Sequence, residues 1–278
     1  MKNYSVCLSF DVNYLPYAQV LLDSISKGLS HDVYCQISVL TGCKELLLYP
    51  KDFFSNYTNL DVNFIDVSEQ LVNFKPVGRF PSQVYARFFM HKYLTGEVLY
   101  LDVDVIVRCC ISEVFKSSNL DLGFSACIDT GIAMKRSFGH TSSKYTSYFN
   151  AGVFVCDLNN RQVHYTFDKA IKLAQSNEYP LADQDALNHA LEGKFSILNL
   201  QYNYTGVISP EKYKIIHFAH IKPNKMLKYF RAFHIYSEYV DTLSISFPYS
   251  QYDFFTICKK LCYVFLANLI YKIKYYEN

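Results

Sequence analysis

The sequence predicts an α/β fold, a Rossmann-like and mostly parallel sheet flanked by helices, from three observations. Short apolar runs at residues 4–10, 33–40 and 60–67 read as strands separated by helical patterns, the spacing of βαβ units. Residues 98–101 (VLYL) are apolar on both faces, as a strand covered on both sides requires. With 278 residues, 50% of them hydrophobic and 17% aromatic, the chain can bury one substantial core, and disorder is excluded.

In chain order, the first strand stops at Asp11-Val12-Asn13-Tyr14. Leu15, Ala18, Leu22, Ile25 and Leu29 then recur at helical spacing, with Gly28 helping to end the helix. Asp11 and Asn13 therefore sit in a strand-to-helix turn, where they cap the helix or bind a nucleotide at the carboxyl edge of the sheet. The second strand is followed by a helix-like segment through Tyr57. Residues 75–83 (KPVGRFPSQ) read as a loop, either a plain connection or a lid over phosphates. In the helix after it, Arg87 stands among Tyr85, Phe88 and Phe89, either snorkelling to solvent or pairing with phosphate or carboxylate.

The run at residues 98–107, VLYLDVDVIV, then sets two acids into an apolar element at a strand's carboxyl end. Asp102 and Asp104 are either solvated in a turn or, since residues 100–107 hold no Gly, Pro, Asn or Ser to build one, extended and projecting to one side, where like charges that close repel unless a cation lies between them. Hard oxygen ligands favour Mn²⁺ or Mg²⁺. Residues 122–128 form a strand ending at Asp129, and residues 130–147, polar and aperiodic, read as a long loop. Residues 148–158 (YFNAGVFVCDL) return to the core, with Asn150, Ala151 and a close-approach Gly152 at their start. Val163, Phe167, Ala170 and Ala174 mark a helix. Asp183, Gln184 and Asp185 open another, where acids suit the helix dipole. The strand at residues 214–218 carries His217, a candidate third ligand, before His220, Lys222 and Pro223.

Composition narrows the function. A formal charge of +2 gives no argument for nucleic acid. Nine cysteines without zinc-knuckle spacing read as small buried hydrophobes of a reducing compartment; with no signal peptide in evidence, the expected location is cytoplasmic. Neither a Gly-x-Gly-x-x-Gly nor a P-loop follows any strand.

Taken in order, Asp-x-Asn-Tyr after the first strand, an arginine before the central strand, LYLDVDVIV, FNAGV, DQDALN and a late HF...KP resemble glycosyltransferase family 8 over residues 4–223. This family of retaining nucleotide-sugar transferases includes bacterial lipopolysaccharide galactosyl- and glucosyltransferases. The resemblance implies a GT-A fold, a UDP-hexose donor and Mn²⁺ (or Mg²⁺). It implies Asp102, Asp104 and His217 as metal ligands, and Ser9, Asp11, Asn13, Arg87, Val103, Asn150, Ala151 and Lys222 around the nucleotide-sugar. Asp183 and Gln184 fall at the donor sugar and reacting face, with Asp185 a remote candidate nucleophile. The chain departs from the family pattern at His220, where glycine is usual, and at Asn224, where tryptophan is usual; Lys222 falls one position early. His220 is thus a candidate to share the role of His217.

The reading that follows is a metal-dependent hexosyltransferase acting on an oligosaccharide or lipid-linked acceptor in surface-glycan synthesis. The alternatives are a catalytically silent glycan-binding relative and a metal-dependent nucleotidyltransferase. A catalytic domain is expected over residues 1–225, its nucleotide half about 1–120 and its sugar half about 121–225. Residues 226–278 form a basic, aromatic tail, expected either to pack on the core as a helix or to attach peripherally to the inner membrane leaflet. Its uncharged run of eleven residues, 261–271, is too short to span a bilayer.

Overall fold

The computed structural model describes residues 2–49, 54, 56–137, 147–206, 209–225, 230–243 and 254–275. Seven strands, β1 (Lys2–Ser9), β2 (Val33–Thr41), β3 (Leu60–Asp66), β4 (Glu97–Leu101), β6 (Phe124–Ile128), β7 (Phe149–Asp157) and β8 (Ser196–Ile197), form one sheet in the order β3-β2-β1-β4-β7-β6-β8. Two more, β5 (Val105–Val107) and β9 (Ile215–His217), pair antiparallel beside it. In the large sheet only β7 runs against its neighbours.

Residue alternation along β1 sorts the core onto two faces. Val6 and Leu8 join Ile37, Leu99 and Leu101 beneath the helix Leu15–Gly28, whose Leu21, Leu22 and Ile25 are buried. Cys7 points the other way, with Val98, Tyr100 and Phe154, toward Phe88, Phe167 and Leu187. All nine cysteines are free thiols, and Cys7, Cys35, Cys127 and Cys156 are buried as small apolar groups. From β1 the chain moves to β2 and β3 on one side and returns to β4 on the other, so a crevice opens where the carboxyl ends of β1 and β4 meet.

Three expectations are corrected. The acids do not share an extended segment: β4 ends at Leu101, just before them as read, but the chain turns through Val103 and Asp104, and β5 leaves the sheet to pair with β9. The helix-like segment after β2 is a single turn, Lys44–Leu47, among the described residues; residues 50–53 and 55 lie outside them. The long loop expected at residues 130–147 begins as a helix, Thr130–Ser137, because the Asp129 carboxylate accepts from the Ile132 N–H (2.9 Å) and the Asp129 carbonyl from Ala133. Residues 138–146 of that stretch lie outside the described residues. Its aperiodicity has a cause: a second helix, Phe254–Tyr275, packs across it and makes contacts that no local pattern encodes. Among the described residues no helix is long and apolar enough to cross a membrane.

Candidate active site

A cleft of about 900 Å³ lies over the carboxyl ends of β1 and β4. Of the residues singled out in the sequence, Ser9, Asp11, Arg87, Asp102, Val103, Asp104, Asn150, Ala151, Asp183, Gln184, His217, His220 and Lys222 line it. Asn13 and Asp185 do not. Asn13 is exposed, and its N–H is the donor by which the Asp11 carboxylate caps the turn (2.9 Å). Asp185 accepts from the Tyr148 hydroxyl and from the Leu181 N–H (2.8 Å), which fastens the start of the helix Ala182–Leu191.

Asp102, Asp104 and His217 converge at the cleft floor. His217 Nε2 lies 3.7 Å from Asp102 Oδ2 and 3.5 Å from Asp104 Oδ1. One ligand atom from each lies within 4.8 Å of the others. Hydrogen bonds settle which ring nitrogen carries the proton. The Gly152 N–H, a fixed donor, binds Asn150 Oδ1 (3.1 Å), so the Asn203 group that also binds Asn150 Oδ1 (3.0 Å) is its NH₂. The Asn203 oxygen therefore faces His217 Nδ1 (2.9 Å) and takes its proton, which leaves the Nε2 lone pair aimed at the two acids. Two carboxylates and an oriented imidazole fit a hard divalent cation such as Mn²⁺ or Mg²⁺.

Glycine at position 152 is a condition of this geometry. A Cβ there would overlap the His217 ring and stand 2.8 Å from both Asp102 Oδ2 and His217 Nδ1. The close approach expected of FNAGV is thus made by the triad itself.

Arg87 is buried at the cleft floor and spends its donors on the protein. It binds Asp102 Oδ1 (2.8 Å), Asp183 Oδ2 (3.0 Å) and the Ala151 carbonyl (2.8 Å), with its guanidinium 4.4 Å from the centroid of the Tyr100 ring. It clamps the central strand to the helix Ala182–Leu191. Burial pushes the Asp183 carboxyl up to about 6, against Arg87 and with the help of Asp102. Burial would raise Asp104 too, but the Lys222 ammonium, its direct partner, and His217 hold it well below the usual carboxylate range. Lys222 and Asp104 are therefore a charged pair.

Gln184 is bound in both directions. Its Oε1 accepts from the Ala151 N–H (3.1 Å), so its Nε2 donates to Asp129 Oδ2 (3.1 Å). Ala182, just before this pair, is fully buried at φ 44, a left-handed backbone that costs an alanine about 1 kcal/mol. His220 is not part of the Asp102, Asp104 and His217 group; its ring packs on Tyr263 (5.6 Å between rings), and burial pushes it down to about 4.

Several cleft residues were given no individual role in the sequence. Gln83 ties Ser9 and the Leu40 carbonyl to the Gly42 N–H, joining the ends of β1 and β2. Asp129 accepts from Asn150, Gln184 and Ile132, and its place at a strand's carboxyl end was its visible signal. Thr256, Lys259, Lys260 and Tyr263 reach the cleft from the helix Phe254–Tyr275, with no local signal.

The family profile described as glycosyl transferase family 8 matches residues 5–229. A Haemophilus influenzae relative bearing a provisional glycosyltransferase name is 28% identical over 215 residues, 73% of this chain and 64% of its own length. The galactosyltransferase LgtC, solved with donor and acceptor sugar analogs, is similar at TM-score 0.67 and 21% identity, over 87% of this chain and 97% of LgtC. The bifunctional glycosyltransferase WbbM is similar at TM-score 0.69 and 19% identity, over 88% of this chain and 50% of WbbM. The chain thus spans under two thirds of the Haemophilus relative and half of WbbM. The helix-flanked, mostly parallel seven-stranded sheet is the GT-A arrangement that LgtC shares.

Proposed function

Because the chain belongs to glycosyl transferase family 8, we propose that it is a metal-dependent retaining hexosyltransferase. It moves galactose or glucose from a UDP-sugar to a saccharide acceptor, in the building of lipopolysaccharide or another surface glycan. One observation carries this reading: Asp102, Asp104 and an oriented His217 meet on the floor of a cleft at the sheet's switch point.

In this account Ser9, Asp11 and Val103, at the ends of β1 and β4, take the nucleoside, and Asp102, Asp104 and His217 hold the cation. When bound there, Mn²⁺ or Mg²⁺ supplies Lewis-acid stabilisation of charge on the departing diphosphate. Lys222, already paired with Asp104, adds a point charge on the same rim. Arg87 keeps the donor-sugar helix in register with the central strand through Asp183 and Asp102. Gln184 and Asn150 present amides to the sugar. A glutamine bound at both ends of its amide is a poor nucleophile, which favours attack by the acceptor on the face the UDP leaves. Retention of configuration is the family's property.

The test is product release from UDP-galactose and UDP-glucose, with Mn²⁺ and after chelation. Metal-dependent release of UDP, faster with one sugar, is expected; no UDP from either donor, with pyrophosphate released instead from UTP and a hexose 1-phosphate, would replace the reading with nucleotidyl transfer.

A further inference from the structure

The cleft has a second wall, made by the C-terminal helix Phe254–Tyr275. The helix is seated by a shaped contact. The Tyr263 hydroxyl fills the space over Gly131, where a Cβ would meet it and lie 3.1 Å from the ring carbon that bears it. Lys135 lies 5.9 Å from the centroid of the same ring, and Lys260 donates to the His220 carbonyl (2.8 Å).

The charge on this wall differs in kind from that on the floor. Floor cations are matched: Arg87 holds Asp102 and Asp183, and Lys222 holds Asp104. Lys135 and Lys259 line the cleft with exposed side chains, and among the described residues neither is ion-paired to a carboxylate. The helix itself has no Asp or Glu. The acid nearest to Lys135 in sequence, Asp129, is occupied by Ile132, Asn150 and Gln184. Unmatched lysines facing the open cleft favour an anion, and a saccharide entering opposite the metal floor would bring its charged group to them.

Resting on the transferase reading, we propose that the helix Phe254–Tyr275 is a wall of the acceptor subsite, and that Lys135 and Lys259 select an acceptor saccharide carrying phosphate. The experiment uses the full chain saturated with UDP and Mn²⁺, so that the donor's phosphate site is filled, and titrates glucose against glucose 6-phosphate by calorimetry. Wild type should bind the phosphate about tenfold more tightly than glucose, as expected for two charge-assisted contacts. The Lys135→Gln/Lys259→Gln variant should lose that preference with UDP binding unchanged. Equal binding of both sugars by wild type, or a preference that survives in the variant, would overturn the proposal. So would binding to phosphatidylglycerol vesicles that the variant loses, without any hexose-phosphate preference, since the lysines would then serve a membrane. A wild type that fails to bind UDP fails earlier and separately: it removes the transferase reading, and this proposal with it.

Discussion

Two glycines make room for the two walls of the cleft, and they are not equivalent. Gly152 yields space to His217 and Asp102, which are fixed by paired strands: the Asp102 N–H donates to the Gly152 carbonyl (2.8 Å), and the His217 N–H to the Tyr204 carbonyl (2.9 Å). Gly131 yields space to the end of one tyrosine on a helix laid over the fold. The first close approach is held from both sides by backbone; the second is held by a side chain that can swing or lift with its helix. The difference teaches which part of the site is rigid and which part is free to vary with substrate.

The largest effect expected on the rigid side is Arg87→Leu. It strands Asp183 in the interior and Asp102 at its edge, and removing one partner of a buried ion pair costs about 3 kcal/mol or more. Denaturant unfolding measures this, and a loss below about 1 kcal/mol would mean that the clamp is dispensable. Gly152→Ala comes next, at about 1 to 3 kcal/mol for overpacking, with metal affinity falling alongside because His217 must move. Wild-type metal binding in that variant would break the comparison.

Asp183 gives a pH signature. Its folded value, about 6, lies above the ordinary 3.8, so between those values the native state holds the extra proton. Its contribution to stability is full below the lower value and is lost as pH rises through about 6. Transfer should run the other way, rising through about pH 6 as the carboxylate forms and engages Arg87. Asp183→Asn should flatten the stability limb; a limb that persists assigns it to another group.

Gly131→Ala is the smallest expected change, under about 1 kcal/mol, since Tyr263 and its helix can shift. UDP binding should stay at the wild-type level. A cost equal to that of Gly152→Ala would show that both walls are equally rigid.

The same contrast explains what was legible in the sequence. Asp102, Asp104, Gly152 and His217 announce themselves, because acids, glycine and histidine at the ends of apolar strands are chemically out of place. The turn through Val103 and Asp104 was hidden, since Val-rich flanks read as continuous strand and the pairing of β5 with β9 is set about a hundred residues away. Ala182 carries no mark of its positive φ, because alanine is the best helix former and its strain comes from the surrounding packing. Lys135 reads as loop, and Lys259 and Tyr263 as tail, and only the docking of one helix on another gives them a common space. Asn203 acts through His217, a role defined by a hydrogen bond rather than by a pattern.

The most direct test of the central claim is calorimetric binding of UDP, with and without Mn²⁺, to the wild type and to Asp104→Asn. Binding that requires Mn²⁺ in the wild type and falls by about 100-fold in the variant is predicted, as for loss of a metal-site group. Metal-independent binding, or equal affinity in the two proteins, would contradict a metal-held nucleotide site at Asp102, Asp104 and His217.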